Sequence, residues 1–268
     1  MVSSLYVGAS GMIVEERRLA VISNNLANVN TNGFKRDEVT FKDYLYHSGV
    51  GLTLTSGGVV KNRFFREWFD PQNSVVYPQK TYTSFLAGSV EETGLPTNVT
   101  IDGDGFLTVS FRGGVYYTRD GSFKVYPDGT IRNSVGALLM GRRNTGAPLE
   151  EVRVDPNSDV YITSDGWLYS NGARVYKLEI VTFGSNPNNY IEKAGSNLFK
   201  LKNPTNTGQT VDNPSLLIGY IEKSNSDPVM EMVKLVDCFR HYEACQRVVV
   251  STFEDVTAKT VNDVGKVG

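Results

Sequence analysis

The chain has 268 residues, room for one large domain or two modest ones, and either can bury a sizeable core. Its 27 basic and 29 acidic residues leave a formal charge of −2, so bulk charge implies no nucleic-acid partner. With 26 Gly and 10 Pro it is neither collagen-like nor low-complexity, and its 14 Tyr and 13 Phe favour strands.

The first element expected is a helix from about Ser3 to Asn28. Leu5, Met12, Leu19 and Leu26 recur at seven-residue steps, with Ala9 and Ile22 filling intervening half-turns. Glu15, Glu16, Arg17 and Arg18 fall mostly off that stripe, which gives an amphipathic helix with a coiled-coil-like seam. The helix should end where Asn28, Asn30, Asn32 and Gly33 accumulate, because Asn and Gly favour turns and left-handed backbone. From Asn32 to Val76 aromatic residues occur without clean periodicity, and this stretch reads as an extended connection.

From about Tyr77 to Tyr220 the pattern is β. Phe106 to Phe111 turns at Arg112-Gly113-Gly114 into Val115 to Thr118. Asp120-Gly121, Asp128-Gly129, Asp165-Gly166 and Asn171-Gly172 are further turn signals, because type I′ turns need positive φ. Short strands at this spacing suggest a sandwich or an irregular barrel. The closing segment opens with Asp227 as N-cap and Pro228 at the first helical position. Met232, Leu235, Phe239, Tyr242, Val249, Phe253 and Val256 then recur mostly at three- and four-residue steps, with Asp237/His241 and Glu243/Arg247 as i,i+4 pairs. A second helix of roughly thirty residues or more is expected.

These elements divide the chain into residues 1–76 (helix and connector), 77–220 (β domain) and 221–268 (closing helix). The fold expected is α+β: long N- and C-terminal helices pairing as a coiled-coil-like core domain, with a central all-β domain of short antiparallel strands. The helix stripes could pair within one molecule or meet neighbouring subunits, since a long helix owes most of its stability to covering its apolar face.

The chemical inventory is thin. His47 and His241 are the only histidines, and no Cys/His cluster has zinc spacing. Cys238 and Cys245 lie seven apart on a helix, roughly 10 Å along its axis, too far for a disulfide. No phosphate-binding glycine loop of Walker type occurs, Gly103-Asp104-Gly105 lacks the third glycine of a dinucleotide loop, and Asp102 to Gly113 fails the EF-hand pattern. No catalytic, cofactor-binding or metal-binding residue is assigned, and no cofactor is expected. No run reaches the roughly 18 apolar residues of a membrane span. Met1 to Ile13 lacks the basic start and long apolar run of a secretory signal. A rival reading is a secreted β-domain carbohydrate-binding protein or hydrolase, with a site among Trp68, Tyr116 and Trp167.

The wording of the two ends is more specific. Leu5-Tyr6-Val7-Gly8-Ala9-Ser10-Gly11-Met12 and Ser23-Asn24-Asn25-Leu26-Ala27-Asn28-Val29-Asn30-Thr31-Asn32-Gly33-Phe34-Lys35 resemble the N-terminal signature of bacterial flagellar rod and hook proteins. Ser224 to Val233 and Arg240-His241-Tyr242-Glu243-Ala244 resemble the C-terminal signature. Ile101 to Leu107 and Tyr117 to Phe123 resemble the family's β-domain words, and the ending Lys259 to Val267 is most similar to proximal-rod, F-type members, with distal-rod, G-type members next.

The resemblance implies a structural, non-enzymatic subunit of the basal-body rod. Its terminal helices would assemble into the helical drive-shaft tube that transmits motor torque, with the β domain outside. The implied partners are other copies of the chain, neighbouring rod proteins and the flagellar type III export apparatus, with no nucleic acid and no membrane insertion. The implied location is the rod in the periplasmic space, reached without a cleaved signal. The interface residues implied are Leu5, Met12, Leu19 and Leu26 on the first helix, and Asn24, Asn25, Asn28, Gly33 and Phe34 at its exit. On the second helix they are Met232, Leu235, Phe239, Tyr242, Val249 and Phe253.

Overall fold

The computed structural model describes residues 2–45, 74–144 and 146–264. The chain forms two compact units. One gathers Met1–Asn24, Asp37–Tyr82 and Val229–Gly268, and the other gathers Asn25–Arg36 and Thr83–Pro228.

The first unit is built on two helices, α1 (Val2–Ala27) and α2 (Pro228–Val264). At 1.5 Å per residue they are roughly 39 and 55 Å long. Neither contains an internal proline, and Pro228 opens α2, where its missing N–H is no loss. Beyond α1 the chain unwinds through turns: the Asn28 and Thr31 N–H groups donate to the carbonyls of Asn25 and Asn28, and Gly33 takes φ +64°. The stretch read as a connection holds a strand, β1 (Asp37–Leu45), which pairs with β2 (Ser74–Thr83), a strand that starts at the end of that stretch and continues into the region read as β. His47 and Trp68 lie outside the described residues.

The expected α+β fold organised on a coiled-coil-like helix pair is overturned. Among the described residues there are only two α-helices, and a thirteen-stranded antiparallel sheet dominates the structure. Nor do the expected stripes close into a buried seam. Leu5, Met12, Leu19 and Leu26 are only half-buried, and Met232, Phe239 and Phe253 on α2 are 51%, 50% and 64% exposed. The helices instead approach, antiparallel, through small residues. A Cβ on Gly8 would stand 2.7 Å from a Val249 methyl, and one on Gly11 would stand 2.8 Å from the Cys245 sulfur. Glycine costs a helix interior about 0.5–1 kcal/mol, and here it permits the close approach. Glu15, one of the four charged residues falling mostly off the leucine stripe, is buried and accepts a hydrogen bond from the Cys238 thiol at 2.9 Å.

The second unit is the sheet. Its main path runs Val160–Ile162, Trp167–Ser170, Ala173–Leu178, Leu138–Arg142, Phe106–Phe111, Gly114–Thr118, Leu198–Leu201 and Ile191–Gly195. Phe106–Phe111 lies in the middle and is covered on both faces. Leu107 and Val109 point into one core with Phe123, Leu139, Leu168 and Ile180, while Phe106 points into a second with Tyr117, Phe183, Ile191 and Phe199. Alternate side chains leave opposite faces of a strand, so burial on both sides gives the near-continuous apolar run of this segment. Two small sheets stand beside it: Leu216–Ile218 with Val99–Ile101, and Tyr220–Glu222 with Val90–Glu92.

Most turn signals are realised. Arg112 and Gly113 carry φ of 50° and 80° and close the hairpin that pairs Phe111 with Gly114. Asn171 and Gly172, at 53° and 74°, do the same between Trp167–Ser170 and Ala173–Leu178. Asp120-Gly121 differs. A Cβ on Gly121 would fall 1.7 Å from the Val99 carbonyl oxygen, so this glycine serves a close backbone crossing.

Candidate assembly surface

With no catalytic constellation expected, the candidate site is a surface. On α2 the side turned to α1 carries Cys238, fully buried, and the half-buried Leu235, Tyr242, Cys245 and Val249. Another side carries Met232, Val236 and Phe239 at helical spacing, then Glu243 and Gln246, then Val250 and Phe253. The five apolar members of that line are 48–64% exposed, and Val233 beside them is 51% exposed. The sequence reading named Met232, Phe239 and Phe253 but missed Val233, Val236 and Val250. Their spacing was readable, and only the choice of stripe hid them.

The helix contact has its own electrostatics. Glu15 also accepts from Arg18 at 3.1 Å and lies 3.7 Å from His241 Nδ1, so His241 faces the other helix, while its expected partner Asp237 stands 4.0 Å from Arg240. Burial, then the neighbouring Glu15 carboxylate, pushes the Cys238 thiol up to about 12. Cys238 and Cys245 are both free thiols.

The exit residues of α1 are placed differently from its leucines. Asn24 is exposed, Asn28 is half-buried, and Asn25, Gly33 and Phe34 are buried. Gly33 donates its N–H to the Glu222 carbonyl at 2.6 Å, and any Cβ there would sit 2.4 Å from the backbone of Arg119 and Asp120. Phe34 lies under the Lys193 ammonium, 4.2 Å from its ring centroid. Lys35 is wholly buried, and its ammonium donates to Glu222 at 2.5 Å and to the Leu86 carbonyl at 2.7 Å. Glu222 also accepts the Gly88 N–H at 2.9 Å and stands 3.5 Å from Arg119. Burial lowers the pKa of both Lys35 and Arg119, and the Glu222 carboxylate opposes that shift.

Asn225 completes a clamp. Its Oδ1 accepts the Arg36 N–H, its own N–H donates to the Phe34 carbonyl, and its amide donates to the carbonyls of Ser84 and Leu86. Residues 33–36, just after α1, are thereby bonded to residues 222–225, just before α2. Sequence reasoning missed this clamp because Lys35 and Glu222 are 187 positions apart.

The rival carbohydrate site does not form around the two described aromatics. Tyr116 and Trp167 sit four strand positions apart along the sheet, roughly 19 Å. Arg174 covers Trp167 at 4.3 Å from the ring centroid. Among the described residues no group of three or more His, Cys, Asp or Glu is placed to hold a metal ion, and no helix is long and apolar enough to cross a membrane.

Comparison with known proteins gives the surface its context. The family model "Flagella basal body rod protein" matches residues 5–35, "Flagellar hook protein FlgE/F/G D1 domain" matches 100–170, and "Flagellar basal body rod FlgEFG protein C-terminal" matches 218–262. The flagellar basal-body rod protein FlgF of Caulobacter vibrioides is 29% identical, with 100% of both chains covered. FlgF of Mesorhizobium japonicum is 30% identical over 91% of this chain and 90% of its own. FlgG of Bacillus subtilis is 27% identical over 98% of this chain and 99% of its own. The matches take in α1 with its glycine exit, the central sheet and α2, and the chain belongs to the flagellar basal-body rod protein family.

Proposed function

We propose that this rod-family protein, a structural subunit of the flagellar basal body, joins its neighbours through the exposed apolar line of α2 and the half-buried leucines of α1. The observation that carries this reading is the exposure of Met232, Val233, Val236, Phe239, Val250 and Phe253 on one helix. Covering six side chains that are already about half buried returns on the order of 5–9 kcal/mol. That is comparable with the entropic cost of one association event. A single contact of this size is marginal, so the surface suits a lattice in which each copy meets several others. Contacts between unlike patches that do not close on themselves generate a helical assembly, here the tube that carries torque.

In this reading the β unit stands outside the tube and catalyses no reaction. The chain reaches the periplasmic rod through the flagellar export apparatus, and its partners are further copies and adjacent rod proteins. The test is a photo-reactive residue at Phe239 in cells that build flagella. Purified basal bodies should yield adducts between position 239 and a neighbouring rod subunit. Adducts confined to the same chain would refute the proposal.

A further inference from the structure

The helix pair leaves one face of α1 open. Gly8, Gly11 and Glu15 mark the side of α1 turned to α2. At about 100° per residue, Ile13, Arg17, Ala20, Asn24 and Ala27 line up on roughly the opposite side. All five are exposed, Ile13 at 56%. The half-buried leucine stripe lies between the two sides.

The exposed line of α2 sets conditions on whatever covers it. Glu243 stands in its middle, between Phe239 and Val250. A purely apolar cover would bury that carboxylate unpaired, which is costly. The same line of a second copy, laid antiparallel on it, would set Glu243 against Glu243, and like charges across a contact repel. The cover therefore needs a cation with small or apolar residues about one turn to either side. The open face of α1 has that pattern, with Arg17 between Ile13 and Ala20. Among the described residues, neither Arg17 nor Glu243 is held in an ion pair. Laid antiparallel on α2, this face sets Arg17 at Glu243, Ala20 at Phe239, Ala27 at Met232, and Ile13 between Gln246 and Val250. Large side chains then fall on small ones, as ridges fill grooves. Only Asn24, level with Val236, sets a polar side chain against an apolar one.

We propose that the exposed line of α2 is covered by the open face of α1 from a second copy of this chain, with Glu243 paired to that copy's Arg17. The proposal rests on the reading of the chain as a subunit packed among rod neighbours, and names the face that meets the α2 line. Each α1 then lies between its own α2 and a neighbour's. The contact joins unlike faces, so it repeats from copy to copy instead of closing as a symmetric dimer.

Exchanging the two charges tests the pairing. Arg17→Glu and Glu243→Arg should each lower the fraction of subunit retained in salt-washed basal bodies about tenfold, the loss of one charge-assisted contact. The double variant Arg17→Glu, Glu243→Arg should return to within about twofold of wild type. Both residues are exposed, so the purified variants should melt with the wild-type chain. A photo-reactive residue at Phe239 gives a second readout that keeps the native charges, and so stands whether or not a charge variant folds. Its adducts should have the mass of two chains and map to residues 13–27 of the other copy. Single variants retained like wild type, a double variant retained no better than the single ones, or adducts between subunits that map elsewhere overturn the pairing alone. If no adduct from 239 joins two subunits, the rod-packing reading fails with it.

Discussion

Glu222→Ala tests the clamp most severely. The carboxylate accepts from Lys35 at 2.5 Å and from the Gly88 N–H at 2.9 Å, and it stands 3.5 Å from Arg119. Removing it leaves the Lys35 ammonium with the Leu86 carbonyl and the Arg119 guanidinium with the carbonyls of Gly103 and Ile101. Two buried cations then face each other with only the exposed Asp104 carboxylate acting on Arg119. Removing one partner of a buried pair costs about 3–5 kcal/mol, a large part of the roughly 5–15 kcal/mol that holds a domain folded. Urea unfolding of the full chain, followed by fluorescence of the sheet's Trp167, measures the loss. The control is Glu192→Ala, whose pair with Lys200 is about half exposed on both sides and should cost less than about 1 kcal/mol. Adding Lys35→Met to Glu222→Ala should give a total below the sum of the single losses, because it removes a cation the first change stranded. A Glu222→Ala loss no larger than that of Glu192→Ala would refute the reasoning.

Four further outcomes follow from the same geometry. Gly33→Ala should cost about 3 kcal/mol or more, seen as a fall in melting temperature, since it adds a left-handed-backbone penalty to an overlap with the Arg119–Asp120 backbone. The Cys238 thiol ionises near 9.0 when unfolded and near 12 when folded, so helix-unit stability should be full below pH 9 and fall between pH 9 and 12 by about 1.4 kcal/mol per unit. Cys238→Ala should flatten that slope in urea titrations read by circular dichroism. Phe239→Asp should leave the purified chain's sheet folded while abolishing swimming and rod incorporation, and normal swimming would contradict the assembly surface. In hydrogen exchange on the soluble monomer, Phe106–Phe111 and Leu138–Arg142 should be far better protected than residues 248–259.

What could be read from the residue order was local. The two helices were announced by periodicity and by Asp227-Pro228, and the hairpins at Arg112-Gly113 and Asn171-Gly172 by residues that tolerate positive φ. The seam was misread because hydrophobic periodicity weights leucine, whereas α1 meets α2 through Gly8, Gly11 and a buried carboxylate. Small residues pack closely and contribute almost nothing to an apolar stripe. The turn signal at Asp120-Gly121 failed for a related reason, since its glycine answers a crossing strand rather than a bend in its own chain. The clamp was invisible because its charges come from opposite ends of the chain. Lys35 follows Gly33-Phe34 in the very run that resembled the rod signature, which was the one available hint.

The central claim is that the exposed line of α2 is covered by other subunits in the assembled rod. A cryo-electron microscopy map of purified basal bodies measures this directly. Met232, Val236, Phe239, Val250 and Phe253 should be enclosed between subunits, with the sheet on the outer side. A rod in which those side chains still face solvent, while the sheets alone hold neighbouring copies together, would contradict it.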